Sequence, residues 1–125
     1  MKQIIVFFFT IAFLNCCNEA KDNILTLSIN NQSDFKIEKI KLYANIGLTM
    51  NTYVDSILID KIEISQKYNT EWDLNNLSKV DGNFIIKFQI DTLLREKEFG
   101  YFTNGTLIEK KYDIRIENDT ILITK

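Results

Sequence analysis

The sequence predicts an all-β domain, an antiparallel β-sandwich of about seven or eight short strands. Apolar residues after position 24 recur with a period of two, and turn-forming Asn, Asp and Gly residues separate these segments. Twenty Ile residues favour strands through their branched side chains. A small barrel is the alternative arrangement of the same strands. The sequence shows no amphipathic helix of useful length, so an α/β nucleotide-binding fold has no support.

The first two predicted strands carry a change in side-chain parity. Apolar and polar residues alternate over residues 24–30, which is typical of a half-buried strand. A turn cluster follows at residues 31–34, and the apolar positions then change parity between Ile37 and Ile40. This slip at residues 38–39 predicts a β-bulge, or a strand that twists from one sheet to the other.

The middle of the chain has a weaker pattern. Residues 44–52 contain a Gly and little alternation, so we expect a loop there. Residues 54–64 form the next predicted strand, again with a change of parity, and residues 68–74 form a short strand that carries Trp72, which we expect in the core. Residues 75–80 have the apolar spacing of a single helical turn.

The second half of the chain alternates more regularly. Its predicted strands are 84–91, 93–102 and 107–117, with a short last strand from residue 121. The pairs Asp81-Gly82 and Asn104-Gly105 predict the turns between them.

The last two strands predict a hairpin with a specific register. The dipeptide at residues 118–119 is typical of a two-residue hairpin loop. Such a loop places Ile116 opposite Ile121 and Ile114 opposite Ile123. The four side chains then point to the same side.

The N-terminus has the pattern of a secretory signal peptide. Lys2 precedes an apolar run from Ile4 to Leu14, which is about half as long as a membrane-spanning helix. The Leu14-Asn15-Cys16-Cys17 segment then resembles a bacterial lipobox. This resemblance implies that residues 1–16 are a cleaved lipoprotein signal peptide and that Cys17 is the lipidated residue. Cys16 is the alternative lipidated residue.

A lipidated Cys17 implies a membrane anchor. Several acyl chains of the palmitate type hold a protein on a bilayer almost permanently. Residues 17–23 are then the lipidated Cys and a short polar tether, and residues 24–125 are the β-sandwich domain. We therefore expect a lipid-anchored protein of the bacterial cell envelope, in the outer membrane. Adjacent cysteines make only a strained disulfide, so a redox role is disfavoured.

Three segments add a family resemblance to this anchor. They are Asp81-Gly82-Asn83-Phe84, residues 99–105 and Asn118-Asp119-Thr120-Ile121. Together with the lipobox, they resemble small uncharacterised lipoproteins of the Bacteroidota. The Ile-, Lys- and Asn-rich, Pro-free composition is similar to that of proteins from AT-rich genomes of this phylum. The resemblance implies an immunoglobulin-like sandwich and brings no catalytic residues with it.

The composition disfavours several classes of function. The sequence contains no His, which is the commonest general base and metal ligand. A formal net charge of −2 gives no electrostatic basis for binding nucleic acid. We therefore expect a protein that is not an enzyme and has neither a cofactor nor a metal. Glu96 and Glu98 are the best candidates for the minor alternative of a carboxylate-based hydrolase.

An aromatic segment near residue 101 is the best candidate for binding. Successive strand residues face opposite ways, so one of Tyr101 and Phe102 is expected to be exposed near Asn104. The exposed ring would contact a protein or a glycan partner in the envelope. The alternative is that both rings pack inside the domain.

Three tripeptides resemble the Asp-Ser/Thr-apolar sequence of Bacteroidota O-glycosylation. They place possible O-glycans on Ser56, Thr92 and Thr120. The alternative is that these residues simply mark turns and strand ends.

These observations lead to two hypotheses about function. The first is a non-catalytic, lipid-anchored envelope domain that binds or scaffolds a partner. The second is an immunity- or inhibitor-type lipoprotein that neutralises a secreted toxin or hydrolase, since small acidic anchored proteins suit that role.

Overall fold

The computed structural model of the chain describes residues 22–47 and 52–125. In this part of the chain there are nine β-strands and no helix. The strands are β1 (Ile24–Asn31), β2 (Ile37–Ile46), β3 (Tyr53–Ile62), β4 (Lys67–Asp73), β5 (Gly82–Ile90), β6 (Leu93–Thr103), β7 (Thr106–Leu107), β8 (Lys111–Ile116) and β9 (Ile121–Thr124).

The strands form two sheets, one of four strands in the order β4-β1-β8-β9 and one of five in the order β3-β2-β5-β6-β7. The predicted all-β sandwich is therefore confirmed, and the two sheets pack face to face as in immunoglobulin-like domains. Among the strand pairs of the described residues, β1 and β8 run parallel and the other pairs run antiparallel. The predicted strand number was slightly low because it did not include the two-residue β7.

The core between the sheets is centred on Phe84 of β5. Its ring lies 5.7 Å from Trp72, 5.6 Å from Phe99 and 5.4 Å from Phe102, measured between ring centroids. Phe99 in turn contacts Tyr112 of the opposite sheet. The two rings pack edge to face, with their centroids 5.2 Å apart. Trp72 is buried, as the sequence predicted, and aromatic contacts of this kind add to the stabilisation from buried area.

Two local predictions are confirmed in detail. In the β8–β9 hairpin, Ile116 lies opposite Ile121 and Ile114 lies opposite Ile123. The register between β2 and β5 shifts between Glu38 and Lys41, as expected for the predicted bulge. Lys39, inside this bulge, has a φ of 53°.

The structure corrects four local predictions. The predicted loop 44–52 is wrong at its start, because β2 continues to Ile46 and Ala44 is buried between the sheets. The predicted strand 54–64 ends at Ile62, where a turn with a positive φ at Ser65 begins. Residues 48–51 lie outside the described part of the chain.

The other two corrections concern segments that look continuous in the sequence. Residues 75–80 form a turn closed by the Leu77 amide donating to the Leu74 carbonyl at 3.0 Å, rather than a helical turn. Leu77 nevertheless packs against the core, which explains the spacing. The predicted strand 107–117 is two strands, β7 and β8, because the chain bends at residues 108–110.

Asn23 fixes the start of the domain. The sequence places this residue at the end of the tether, but it is buried. Its side-chain amide donates to the Gly105 carbonyl at 2.6 Å, and its backbone amide donates to Asn75 Oδ1 at 3.0 Å. The chain therefore joins the sandwich at the end that holds the turns around Asn75 and Gly105.

Candidate functional site: the outer face of the five-stranded sheet

The most distinctive surface of the domain is the outward side of β3, β2, β5 and β6, which we call the outer sheet face. Even-numbered residues of β5 fill the core, so the odd-numbered ones point outward. The register aligns the outward side chains in cross-strand rows. One row is Leu58, Lys41, Lys87 and Glu96; the next is Ser56, Tyr43, Ile85 and Glu98; a third is Tyr53, Asn45 and Asn83.

Lys87 is at the centre of an aromatic and ionic cluster on this face. Its Nζ donates to the Tyr53 hydroxyl at 2.9 Å and lies 3.0 Å from a carboxylate oxygen of Glu96. Tyr53 stacks on Tyr43 with the ring centroids 4.2 Å apart, and Nζ lies within 5.8 Å of both rings. The Tyr53 hydroxyl and then Glu96 raise the pKa of Lys87, so the side chain stays cationic.

The same face carries apolar side chains in contrasting environments. Ile85 is fully buried although it points away from the core, and its cross-strand neighbours are Tyr43 and Glu98. Leu58 and Leu94 are 61% and 65% exposed. The stacked Tyr43–Tyr53 pair lies on the same face, and tyrosine is enriched where proteins contact one another.

At one end of the outer sheet face lies a cleft of about 720 Å³, the basic cleft. Four lysines line it: Lys36, Lys39, Lys41 and Lys87. Two of them are ion-paired, Lys36 with Glu38 and Lys87 with Glu96. The lining of the cleft therefore has an excess of positive charge. Lys87 is half-buried, and the other three lysines are exposed to solvent.

At the other end of the face lies a smaller recess of about 380 Å³, the acidic hollow. Its lining residues are Asn45, Gly47, Asp81, Gly82, Asn83, Glu98 and Tyr101, so two carboxylates and no basic side chain line it. A chain of hydrogen bonds crosses it, from Asn45 Nδ2 to Asn83 Oδ1 at 3.2 Å and from Asn83 Nδ2 to Glu98 at 3.0 Å. The two ends of the outer sheet face therefore differ in charge.

Asn45 is the unusual residue of the acidic hollow. It is 3% exposed, and its Oδ1 is buried without a hydrogen-bond partner among the described residues. A buried acceptor left unpaired costs about 1–3 kcal/mol. Folded proteins seldom leave such a group unpaired, and this oxygen is itself inaccessible from the surface.

Asp81 keeps its negative charge through two hydrogen bonds. Its Oδ1 accepts from the Thr103 hydroxyl at 2.7 Å and from the Asn104 backbone amide at 2.8 Å. These bonds lower the pKa of Asp81 below its ordinary value, because they stabilise the ionised form. They also hold the turn at residues 103–106 beside the hollow.

The predicted contact residues Tyr101, Phe102 and Asn104 separate in the structure. Gly100 has a φ of 62° and lies in a bulge, where the β5–β6 register shifts. The bulge turns both Phe99 and Phe102 into the core and leaves Tyr101 52% exposed beside the acidic hollow. Phe102 is fully buried and lies away from any contact surface, whereas Asn104 is exposed in the adjoining turn.

The three candidate glycosylation residues lie at different places on the surface. Ser56 is exposed on the outer sheet face, opposite Tyr43. Thr92 is exposed in the tight turn between β5 and β6, and Thr120 is half-buried in the β8–β9 hairpin. Their hydroxyl groups do not converge on one site.

The remaining predicted residues divide between the outer sheet face and the region outside the described residues. Glu96 and Glu98 lie on this face, but Glu96 is bound to Lys87 and Glu98 accepts from Asn83. Cys16 and Cys17 lie outside the described residues. In residues 22–47 and 52–125, no three acidic, His or Cys side chains gather in a group that could hold a metal ion. No helix in those ranges is long and apolar enough to cross a membrane.

Sequence reasoning missed the cluster of Tyr43, Tyr53 and Lys87. Residues 41, 43 and 45 do alternate with buried residues in β2, but the interpretation of 44–52 as a loop hid that alternation. Continuing β2 through Ile46 would have placed Tyr43 and Asn45 on one face.

Comparisons with known proteins add little to this description. No protein-family model matches the chain, and no curated protein matches it. A solved structure of a protein from Eubacterium rectale, determined by NMR, is similar to 82% of this chain over 87% of its own length. Its sequence identity is 14% and the TM-score is 0.49.

Proposed function

We propose that this protein is a non-catalytic binding domain of the bacterial cell envelope, held on the membrane by lipid on Cys17, and that its partner binds the outer sheet face. The observation that carries the proposal is the outer sheet face itself. It combines a stacked Tyr43–Tyr53 pair, a cation at Lys87 and exposed leucines with two recesses of different charge. Such a mixture of aromatic, apolar and charged groups is typical of recognition surfaces.

The position of Asn23 supports the tether. Six residue steps lead from Cys17 to Asn23, and an extended chain of that length reaches roughly 20 Å. Asn23 is hydrogen-bonded to Gly105 and Asn75. These contacts lie at the end of the sandwich that holds the acidic hollow. A lipid on Cys17 would keep that end near the headgroups and direct the basic cleft away from the membrane.

Substitution of the two cysteines tests the anchor. Cys17→Ser should give a protein without the acyl mass that separates into the soluble fraction or keeps its signal peptide. Cys16→Ser is the matched control, since a small residue remains before the cleavage site and lipidation should continue. Mass spectrometry of the N-terminal peptide reads both results. Acylation that survives Cys17→Ser and disappears with Cys16→Ser would move the anchor to Cys16.

Capture of partners from envelope extracts tests the binding surface. The detergent-solubilised full chain is crosslinked to its neighbours and analysed by mass spectrometry, with Leu94→Asp on the outer sheet face and Leu122→Asp as the control. Leu122 is an exposed leucine of β9 in the other sheet. Leu94→Asp should lose a partner that Leu122→Asp retains. Equal loss or equal retention in both variants would contradict the proposal.

The identity of the captured partner then separates the two functional hypotheses. A structural envelope protein or glycan favours the binding and scaffolding role. A secreted toxin or hydrolase whose activity falls on binding would favour the inhibitor-type role on the same surface.

A further inference from the structure

The edge strands of the two sheets differ in length and regularity. In the described part of the chain, β7 and β9 are edge strands of only two and four residues, and such short edges protect a sheet from further pairing. The edge strand β3 has ten residues, but its register with β2 shifts between Ala44 and Asn45. The seven residues of β4 pair with β1 without a shift, so β4 is the long, regular edge of the domain.

The odd-numbered residues of β4 direct their backbone groups to the free edge. The Leu74 amide donates to the Asn23 carbonyl at 2.8 Å, and the Asn31 amide donates to the Gln66 carbonyl at 3.0 Å. Both bonds join residues that face each other in the β1–β4 register, and in an antiparallel pair every second residue makes such bonds. The even-numbered residues of β4 therefore bond to β1, and the backbone groups of the odd-numbered ones point away from it. These residues are Lys67, Asn69, Glu71 and Asp73.

The outward side chains of β4 are complementary to those of a second, antiparallel β4. A two-fold axis beside Thr70 places Lys67 opposite Asp73 of the second copy. The same axis places Asn69 opposite Glu71 of the second copy. The symmetry gives each pair twice, and like charges face each other nowhere along the edge. All four side chains are exposed, and those of Lys67, Asn69 and Glu71 have no hydrogen-bond or ion-pair partner within the described residues.

This register is the one that uses the whole strand. Hydrogen-bonded pairs across the edge must join odd-numbered residues, so alternative registers differ from it by steps of two residues. One such step places Glu71 opposite Glu71 of the second copy, which is repulsive. The opposite step places Asp73 opposite Ser65, where φ is 62° and the strand has not yet begun. Centring the pair on Thr70 therefore gives the most backbone hydrogen bonds and the best match of charge.

We propose that β4 pairs with β4 of a second copy of this chain, so that the two four-stranded sheets join into one continuous sheet. The facing odd-numbered residues exchange about eight backbone hydrogen bonds in addition to the side-chain pairs. A contact along one edge strand is small, so the dimer depends on a high local concentration, which confinement to a membrane supplies. The inference goes beyond the proposed function, because it concerns a surface other than the outer sheet face.

This dimer leaves both outer sheet faces free. Its two-fold axis is perpendicular to the joined sheet, so the five-stranded sheets of both copies lie on the same side of it. The two tethers begin at opposite ends of the paired strands, because Asn23 is hydrogen-bonded to Leu74 just after β4. With the proposed lipid anchor, both tethers reach a bilayer that lies along the four-stranded sheets, and both outer sheet faces point away from that bilayer.

Disulfide crosslinking of the full chain, in membranes of the producing cells, tests the pairing. Thr70 would face itself as a non-hydrogen-bonded pair, whose Cα atoms lie about 4.5 Å apart, and this distance suits a disulfide. Thr70→Cys should therefore give a disulfide-linked dimer with copper phenanthroline as the oxidant. Thr124→Cys, on the opposite edge strand of the same sheet, is the matched control and should give little. The wild-type chain reports any disulfide formed through Cys16 or Cys17.

Charge reversal separates specific pairing from chance contact. Lys67→Asp and Asp73→Lys each set like charges opposite one another, and each should slow the crosslinking through Thr70→Cys about tenfold. Co-expression of the two variants should restore the rate, because the mixed dimer regains both ion pairs, one of them with exchanged signs. Restoration also shows that both variants fold. Lys111→Asp, in β8 away from the edge, should leave the rate unchanged.

Three results would overturn the inference. They are the absence of a crosslinked dimer, equal crosslinking through Thr70→Cys and Thr124→Cys, and a rate that the charge reversals do not change. A Thr70→Cys disulfide to another protein would assign the edge to a foreign strand and overturn the inference as well. The capture experiment with Leu94→Asp and Leu122→Asp judges the proposed function independently, because neither residue lies on β4.

Discussion

The Asn31→Ala substitution should remove a buried set of hydrogen bonds that joins the two sheets at one end of the sandwich. Asn31 lies at the end of β1 and is fully buried. Its Nδ2 donates to the Phe35 carbonyl at 2.8 Å and lies 3.2 Å from the carbonyls of Ile62 and Glu63 at the end of β3. Its Oδ1 accepts from the backbone amide and the hydroxyl of Ser33 at 3.1 and 2.6 Å.

The geometry sets the size of the effect. Nδ2 has two hydrogens for three carbonyls, so Asn31 makes about two donated and two accepted bonds. At about 1 kcal/mol net for each, their loss lowers the free energy of unfolding by about 3–4 kcal/mol. Part of this loss returns if the Ser33 hydroxyl turns fully to the Phe35 carbonyl, which it already reaches at 3.1 Å. The remaining loss is a large part of the usual stability of a single domain.

Urea unfolding followed by the fluorescence of Trp72 measures this difference. Asn69→Ala is the matched control, since Asn69 is an exposed residue of β4 and its replacement should change the free energy of unfolding by less than about 0.5 kcal/mol. A loss below about 1 kcal/mol for Asn31→Ala would refute the role of this side chain as a link between the sheets.

Three further predictions follow from the core and the turns. Gly100→Ala should lower the free energy of unfolding by about 2 kcal/mol, since φ is 62° and the new Cβ would lie 2.9 Å from atoms of Phe84 and Tyr112. Gly47→Ala is the control and should lower it less, because its Cβ would meet nothing within 4 Å. Equal urea midpoints for the two variants would contradict this packing. Asp81 has a lowered pKa in the folded protein, so its contribution to stability should be complete above its ordinary value of 3.8 and disappear as the pH falls through the lowered value. Unfolding midpoints measured from pH 6 to pH 2 should therefore fall less steeply for Asp81→Ala than for the wild type, and equal slopes would contradict the assignment. Trp72 is 3% exposed, so acrylamide should quench its fluorescence weakly in the folded protein and strongly in urea; strong quenching without urea would contradict its burial.

Local signals predicted the parts of the fold that depend on neighbours in sequence. The β8–β9 hairpin follows from a two-residue turn and from four Ile residues of matching parity. The bulge in β2 follows from the change of side-chain parity at residues 38–39, for which a bulge was one of two explanations. In both places the side-chain pattern and the backbone geometry give the same answer.

Local signals do not predict which distant strands pair with one another. The parallel pair of β1 and β8 joins segments more than 80 residues apart, such as Ile29 and Ile114. Alternating apolar residues make each segment a strand but do not choose its neighbour. The choice depends on how all nine described strands fill the space between the sheets.

The candidate site was predicted only in part, for the same reason. Tyr101 was identified from its aromatic neighbours, but strict alternation could not place both Phe99 and Phe102 in the core, because the bulge at Gly100 breaks the period of two. The acidic hollow gathers Asn45, Asp81 and Glu98 from distant parts of the chain. No local pattern brings these residues together before the sheet forms.

Photo-crosslinking in intact cells tests whether the tethered domain contacts its partner through the outer sheet face. A photoreactive amino acid is placed at Leu94 on that face or at Leu122 on the other sheet, in chains with and without Cys17→Ser. We expect a discrete crosslinked product from position 94, little from position 122, and a clear fall at position 94 when Cys17 is replaced. Equal products from both positions, or a product at position 94 that is unchanged without Cys17, would contradict it.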